Sequence, residues 1–246
     1  MSFLKSIVGF ATGDGIGSTL ARTAVLGYAL NRVLSNVNPK NQQPEDPGQR
    51  IQLNPNTENS IPVVYGTAFL SGSVTDAALT ASKTTMWYCV TICEKTGTKI
   101  SDDEQSDISI DEIYWNGYRV TLQSDGVTMQ NYRDPQGNVN NNVAGLVKFY
   151  LFSGNSDTPI NITSLSTGNT QPAYNLFPNW TSNHQMNDLV FALVRVDYSK
   201  ENNITGLGEL DFKITNTMSL PGDCLYDYLT NPRYGAGINA QEIFDE

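Results

Sequence analysis

The sequence is poor in the residues that most enzymes and metal sites need. It has a single histidine, His184, which removes most histidine-based acid–base pairs, and nothing near it suggests a catalytic triad. Only three cysteines occur, Cys89, Cys93 and Cys224, too few for a disulfide framework. Cys89 and Cys93 fall four apart in a β-type run, which places them on one face and beyond bridging distance within an extended strand. Buried free thiols are therefore expected, and they suit assembly in a reducing cytoplasm. Zinc would need a fourth ligand beside the cysteines, and the only histidine, His184, lies in a loop-like stretch. No Walker-type loop is present, and Gly13-Asp-Gly-Ile-Gly17 lacks dinucleotide-binding spacing. Basic residues are also scarce, with 15 Lys and Arg against 25 Asp and Glu. A net charge of −10 argues against stable nucleic-acid binding, which needs a basic face to neutralise phosphates. The apolar run Ile16–Leu34 is interrupted by Arg22, Asn31 and Arg32, so no membrane span is expected. No secretory signal is expected either, because Met1–Phe10 has one lysine and no convincing cleavage site.

What the sequence does have is aromatics at 10%, with abundant Gly, Asn, Ser and Thr. This is the profile of a β-rich chain with many turns. The expected fold is mainly β with some α: antiparallel β-barrel or sandwich modules, an N-terminal helix and a short α segment near the C-terminus. Residues 1–38 form the N-terminal segment, in which Leu20, Leu26, Leu30 and Leu34 mark a helix apolar on most sides. Such a helix packs on its own domain or inserts into a neighbour, and composition does not choose between them. Residues 39–60 read as a proline-rich linker arm.

The body spans residues 61–219. Ile61–Ala77 reads as strand, glycine kink, strand, and Thr84–Cys93 as a central strand, since neither face is charged. The acidic stretch Thr98–Asp107 reads as a solvated loop; it lacks the regular ligand spacing and turn glycine of a calcium-binding EF-hand. Asn116-Gly117 predicts a type I′ hairpin pairing Trp115 with Tyr118, with a bulge near Asp111-Glu112 to reconcile the parity of Ile108 and Ile110 with that of Ile113. Residues Ser124–Val143 are polar and read as a long loop, followed by a strand at Val147–Phe152. In the long loop Ser153–Asn187, Tyr174, Phe177 and Trp180 either anchor it to the body or present a contact surface, with anchoring the first expectation. Strands are expected over Asn187–Tyr198 and Gly206–Asn216, the latter with Leu210, Phe212 and Ile214 inward.

Residues 220–246 are the most informative. Pro221-Gly222 breaks the preceding strand, Asp223 is expected to cap a helix, and Leu225, Tyr228 and Leu229 form an inward apolar face. Asn231-Pro232 ends that helix. Gly235 and Gly237 then permit a tight turn, and a second helix opens at Asn239 with Ile243 and Phe244 inward.

The segment Asp227-Tyr-Leu-Thr-Asn-Pro-Arg-Tyr-Gly-Ala-Gly237 resembles part of the hub and tip-attachment proteins of long-tailed bacteriophages. Three further stretches are similar: the Pro62-Val-Val-Tyr-Gly66 opening, Ile110-Asp-Glu-Ile-Tyr-Trp-Asn-Gly117, and the strand pair leading into the final segment. The resemblance implies a virion protein assembled in the host cytoplasm, a homotrimeric ring without enzymatic activity or cofactor, linking the tail tube to baseplate, spike or fibre proteins. DNA would pass through the ring lumen without stable binding. It also makes Asp227, Tyr228, Asn231, Pro232, Arg233 and Tyr234 candidate interface residues, together with Leu20, Leu26, Leu30 and Leu34; aromatics and arginine are favoured at interface centres. A packing role for Tyr228 and Tyr234, with Arg233 capping the helix, is equally open. Hub proteins continue well past this segment, whereas this sequence stops at Glu246, so a longer protein or a second chain completing the ring is expected. Two other readings are a carbohydrate-binding adhesin using the Tyr174–Trp180 loop, and a carboxylate-dependent hydrolase on a β scaffold.

Overall fold

The computed structural model describes residues 60–80, 83–134, 136–154, 160–163 and 168–244. The expected N-terminal helix with Leu20, Leu26, Leu30 and Leu34, and the arm up to residue 59, lie outside the described residues. The described residues belong to one compact unit, Arg50–Glu246.

The fold is mainly β, with two antiparallel sheets face to face. Among the described residues twelve strands run in chain order: β1 (Thr67–Ser71), β2 (Ser73–Leu79), β3 (Thr85–Glu94), β4 (Ile108–Trp115), β5 (Tyr118–Leu122), β6 (Met129–Arg133), β7 (Val139–Asn140), β8 (Val147–Ser153), β9 (Asn161–Thr163), β10 (Thr170–Pro172), β11 (Leu189–Asp197) and β12 (Leu210–Asn216). Helices α1 (Pro221–Thr230) and α2 (Ala240–Phe244) follow. One sheet has the order β1-β12-β4-β5-β6-β7 and the other β2-β3-β11-β8; β9 and β10 form a small separate hairpin.

The predicted glycine kink joins the sheets. β1 pairs with β12, and one residue later β2 pairs with β3, so the chain crosses between sheets at Gly72. A Cβ at Gly72 would lie 2.3 Å from Val90 Cγ1 and 3.0 Å from Phe212, so a side chain there would collide with the core. Elsewhere the sheets meet through a bridge between Thr128 and Lys148, with Phe149 N donating to Val127 O at 2.9 Å. The result is a sandwich with barrel-like closure.

Between the sheets lies the main core, in which Phe212, Ile214, Ile113 and Trp115 meet Val90, Val147, Phe149 and Val194. The other face of the four-stranded sheet is also apolar. Trp87, Cys89, Phe191 and Leu193 are covered there by Ile160, Ile162, Ala173 and Phe177 from the segment before β11. Phe177 is fully buried and Trp180 stacks on it at 4.5 Å, donating its indole N–H to Asp76 Oδ2 at 2.7 Å. These two aromatics therefore anchor the loop. β3 is buried on both faces because the main core covers one and Ile160, Ile162, Ala173 and Phe177 cover the other.

The hairpin has the predicted register, Trp115 opposite Tyr118, with positive φ at Asn116 and Gly117 (52° and 80°). The bulge is present as well: Lys213 pairs with Glu112 and Ile214 with Ile110, leaving Asp111 as the extra residue.

Four expectations need correction. The polar stretch Ser124–Val143 contains β6 and β7; β6 buries Met129 and Asn131, and a strand with so little apolar alternation reads as loop. The Ser153–Asn187 stretch is likewise not all loop, since it holds β9, β10 and a 3-10 turn at Ala173–Asn175. Strands β11 and β12 are not a pair but belong to opposite sheets. Cys89 and Cys93 do not share a face: Val190 pairs with Cys93 and Phe191 with Thr91, so Ile92 is an extra residue that reverses the parity. Cys93 packs between the sheets and Cys89 on the outer side. Both thiols are free and buried, and burial pushes each up to about 12. Cys224 is also free but only half-buried.

Candidate functional site

The C-terminal segment carries the candidate interface residues, and its local structure follows from proline and helix geometry. α1 begins with Pro221 in its first turn, where the missing N–H is no loss. Leu220 occupies the N-cap position without a side-chain cap, so Asp223 is not the cap. It stands at the third helical position and is buried. Asp227 is buried one turn later, only 4% exposed. Leu225 and Tyr228, expected inward, are 59% and 51% exposed. Leu229, the third residue of the expected inward face, is partly buried, but the helix is otherwise inverted: its carboxylates face the body, and Leu225 and Tyr228 face outward. The i, i+4 spacing puts both aspartates on one side, with Leu225 and Tyr228 opposite.

The inward side is fully hydrogen-bonded. Asp227 Oδ2 accepts from the Tyr65 hydroxyl at 2.8 Å and the Tyr234 hydroxyl at 2.7 Å, while Oδ1 accepts from Gly97 N at 2.9 Å. One carboxylate therefore joins the segment before β1, the segment after β3 and the turn after α1. Asp223 accepts from Ser101 N at 2.9 Å and Ser101 Oγ at 2.7 Å. This docks the acidic loop on the first turn of the helix, where the helix dipole favours negative charge. Neither aspartate has an ion-pair partner among the described residues. Each depends on O–H and N–H donors, and a buried carboxylate deprived of them would be strongly unfavourable. Burial first, and then the hydrogen bond to Asp227, push the Tyr65 and Tyr234 phenols upward, so both stay protonated as donors.

A second link lies beside this one. Arg233 Nε approaches Glu94 Oε2 at 2.9 Å, and the Glu94 side chain is 7% exposed. Glu94 Oε2 has no aligned hydrogen bond, so the guanidinium acts on it mainly as a nearby charge. Burial pushes the Glu94 carboxyl up, against the opposing pull of Arg233. Arg233 Nη1 also donates to Asn187 O at 3.3 Å. A third element is the buried Asn216, whose amide donates to Val64 O at 2.6 Å and Thr96 Oγ at 2.8 Å and whose Oδ1 accepts from Met218 N at 2.9 Å.

The turn after α1 is held just as closely. Asn231 ends the helix as predicted and its Oδ1 accepts from Arg233 N at 2.9 Å. The chain then folds back over the helix end: Ala236 N donates to Tyr228 O at 2.8 Å and Ile238 N to Leu229 O at 2.8 Å. A Cβ at Gly235 would lie 1.9 Å from Tyr228 O, so this return path demands glycine. α2 opens after Asn239, whose Oδ1 accepts from Gln241 N at 3.1 Å.

Of the six described candidate interface residues, Asp227, Arg233 and Tyr234 are spent on holding the segment to the body, and Asn231 on the turn. Tyr228 and Pro232 remain outward. Glu94, Gly97, Ser101 and Asn216 complete the arrangement without a sequence signal of their own, while Tyr65 lies in the Pro62–Gly66 stretch noted above; Asp223 and Asp227, four apart in a short helix, hinted at a polar face. The carboxylate centre is closed by its own donors, so it suits holding chain segments together. Among the described residues no group of three or more His, Cys, Asp or Glu gathers to hold a metal, and no helix is long and apolar enough to cross a membrane. No family model matches the chain, and no curated protein matches it.

Proposed function

We propose that the chain is a structural hub protein of a long-tailed bacteriophage, sited at the distal end of the tail tube and joining it to baseplate, spike or fibre proteins. One observation carries the reading. The helix and turn 221–237, whose 227–237 part resembles the hub family, form a unit whose inner side is fastened by Asp223, Asp227 and Arg233 and whose outer side is apolar at Leu225 and Tyr228. A helix secured by polar contacts on its inside and left apolar on its outside suits a subunit whose surface is completed by a neighbour. The role is mechanical, with self-association into a trimeric ring and no cofactor. A net charge of −10 suits a lumen through which DNA passes without sticking.

Gold labelling of intact particles with an antibody to this chain tests the reading. Label confined to the distal tail tip is expected. Label on peripheral fibres would favour the adhesin instead, and absence of label from every particle would overturn the assignment.

A further inference from the structure

A cleft of about 220 Å³ lies on the seam where the two sheets close, lined by Gln123, Asp125, Val127, Thr128, Lys148 and Tyr150. One wall is the turn between β5 and β6, and the other is the first half of β8. The Thr128–Lys148 bridge and the Phe149 N to Val127 O bond fix the walls to each other, so the cleft is preformed. Alternation along β8 sends Val147 and Phe149 into the main core and puts Lys148 and Tyr150 on the opposite face.

The turn wall is closed by its own hydrogen bonds. Asp125 accepts from Val127 N at 2.9 Å, Thr128 N at 2.7 Å and Thr128 Oγ1 at 2.5 Å. Burial pushes its carboxyl up, but the bonds from Thr128 and Val127 and the Lys148 charge outweigh that and hold it below its ordinary value. A carboxylate has about four acceptor sites, so Asp125 keeps capacity for a further donor. The β8 wall is less satisfied. Arg195, the cross-strand neighbour of Lys148, is taken by Asp197 through Nε at 3.1 Å and Nη2 at 3.0 Å. Lys148 makes no ion pair among the described residues. Tyr150 packs its ring beside Trp87 at 5.7 Å, which sets its orientation. Burial pushes the Tyr150 phenol up against the pull of Arg195, so it stays protonated. Neither its hydroxyl nor the Gln123 side-chain amide makes a hydrogen bond among the described residues.

The cleft thus gathers a cation, an anion, a hydroxyl, a primary amide and an aromatic ring. A lone anion would meet Asp125 and a lone cation would meet Lys148. A neutral ligand bearing both donors and acceptors suits the pair. The volume lies below the about 300–1,000 Å³ of sites that enclose larger ligands, so one ring is the right scale. We propose that the cleft binds one neutral sugar unit of a glycan, its ring against Tyr150. Its hydroxyls accept from Lys148 Nζ and Gln123 Nε2 and donate to Asp125. The site is distinct from the Tyr174–Trp180 loop, whose Phe177 and Trp180 are committed to anchoring. The inference goes beyond the hub reading and does not rest on it.

A glycan array probed with the full chain, followed by calorimetric titration of a sugar that binds, tests the site. Neutral glycans are expected to bind, and Lys148→Met to weaken the titrated affinity at least about fivefold with an unchanged melting temperature. Should Lys148→Met lower the melting temperature, Gln123→Ala, at an exposed position, carries the same direction of effect. Tyr174→Ala should leave the affinity unchanged. A wild type that binds no neutral glycan, one that binds acidic glycans only, or cleft variants that keep full affinity would overturn the proposal. Absence of gold label from the tail tip would count against the hub reading and leave this result standing.

Discussion

The sandwich and the C-terminal segment are held to the same body by different physics. Between the sheets, Phe212, Phe149, Val90 and Val194 are wholly removed from water, and apolar burial supplies the attraction. At α1 the buried side chains are Asp223 and Asp227, and attachment depends on named donors: Tyr65, Tyr234, Gly97 and Ser101. Apolar burial is non-directional and tolerates adjustment, whereas a carboxylate seat is directional and fails when one donor or acceptor is lost. The second mode leaves the helix's apolar residues free for another surface. That freedom is the lesson of the contrast.

The largest effect should come from the sandwich. Phe212→Ala removes a fully buried ring shared by both sheets and should cost about 3–5 kcal/mol, read as a lowered denaturation midpoint for the whole body. Asp227→Ala should cost less, about 2–3 kcal/mol, because it strands the Tyr65 and Tyr234 hydroxyls and Gly97 N together. Its effect should be concentrated in 220–238, and equal loosening of β3 and β11 would erase the distinction between the regions.

Glu94→Gln sharpens the comparison through pH. The folded carboxyl is held above its ordinary value near 4.5, so its contribution to stability is present below that value and lost as pH rises through the folded one. Glu94→Gln should therefore gain on the wild type as pH rises above about 4.5, a gain opposed by the Arg233 charge beside the carboxylate, as measured by thermal melts across pH. The smallest effect belongs to the outward stripe. Leu225→Ala should shift stability of the isolated chain by no more than about 0.5 kcal/mol in equilibrium denaturation, since the side chain is mostly in water.

The sandwich was legible in the sequence wherever local patterning decided the outcome. Leu210, Phe212 and Ile214 alternate cleanly, Asn116-Gly117 dictates its turn, and the parity break at Ile110 and Ile113 revealed the bulge at Asp111. Strand β6 was not legible, because Met129 and Asn131 owe their burial to neighbouring strands. The Cys93 face was missed because the extra residue at Ile92 is set by pairing with β11. At α1 the helix limits and the Asn231-Pro232 stop were readable, but its orientation was not. Periodicity located an apolar stripe and assumed that it faced inward, whereas the donors that draw Asp223 and Asp227 inside come from Tyr65, Gly97 and Ser101, more than a hundred residues away. The resemblance carried by residues 227–237 drew attention to this segment without showing which of its side chains hold the fold and which stay free.

Native-state hydrogen exchange on the wild type and Asp227→Ala, compared residue by residue, tests the carboxylate seat most directly. The expected result is that amides of 223–238 lose most of their protection in the variant while those of Leu189–Asp197 keep theirs. Unchanged protection at α1, or a parallel loss in both regions, would contradict the claim that buried aspartates fasten this helix to the sandwich.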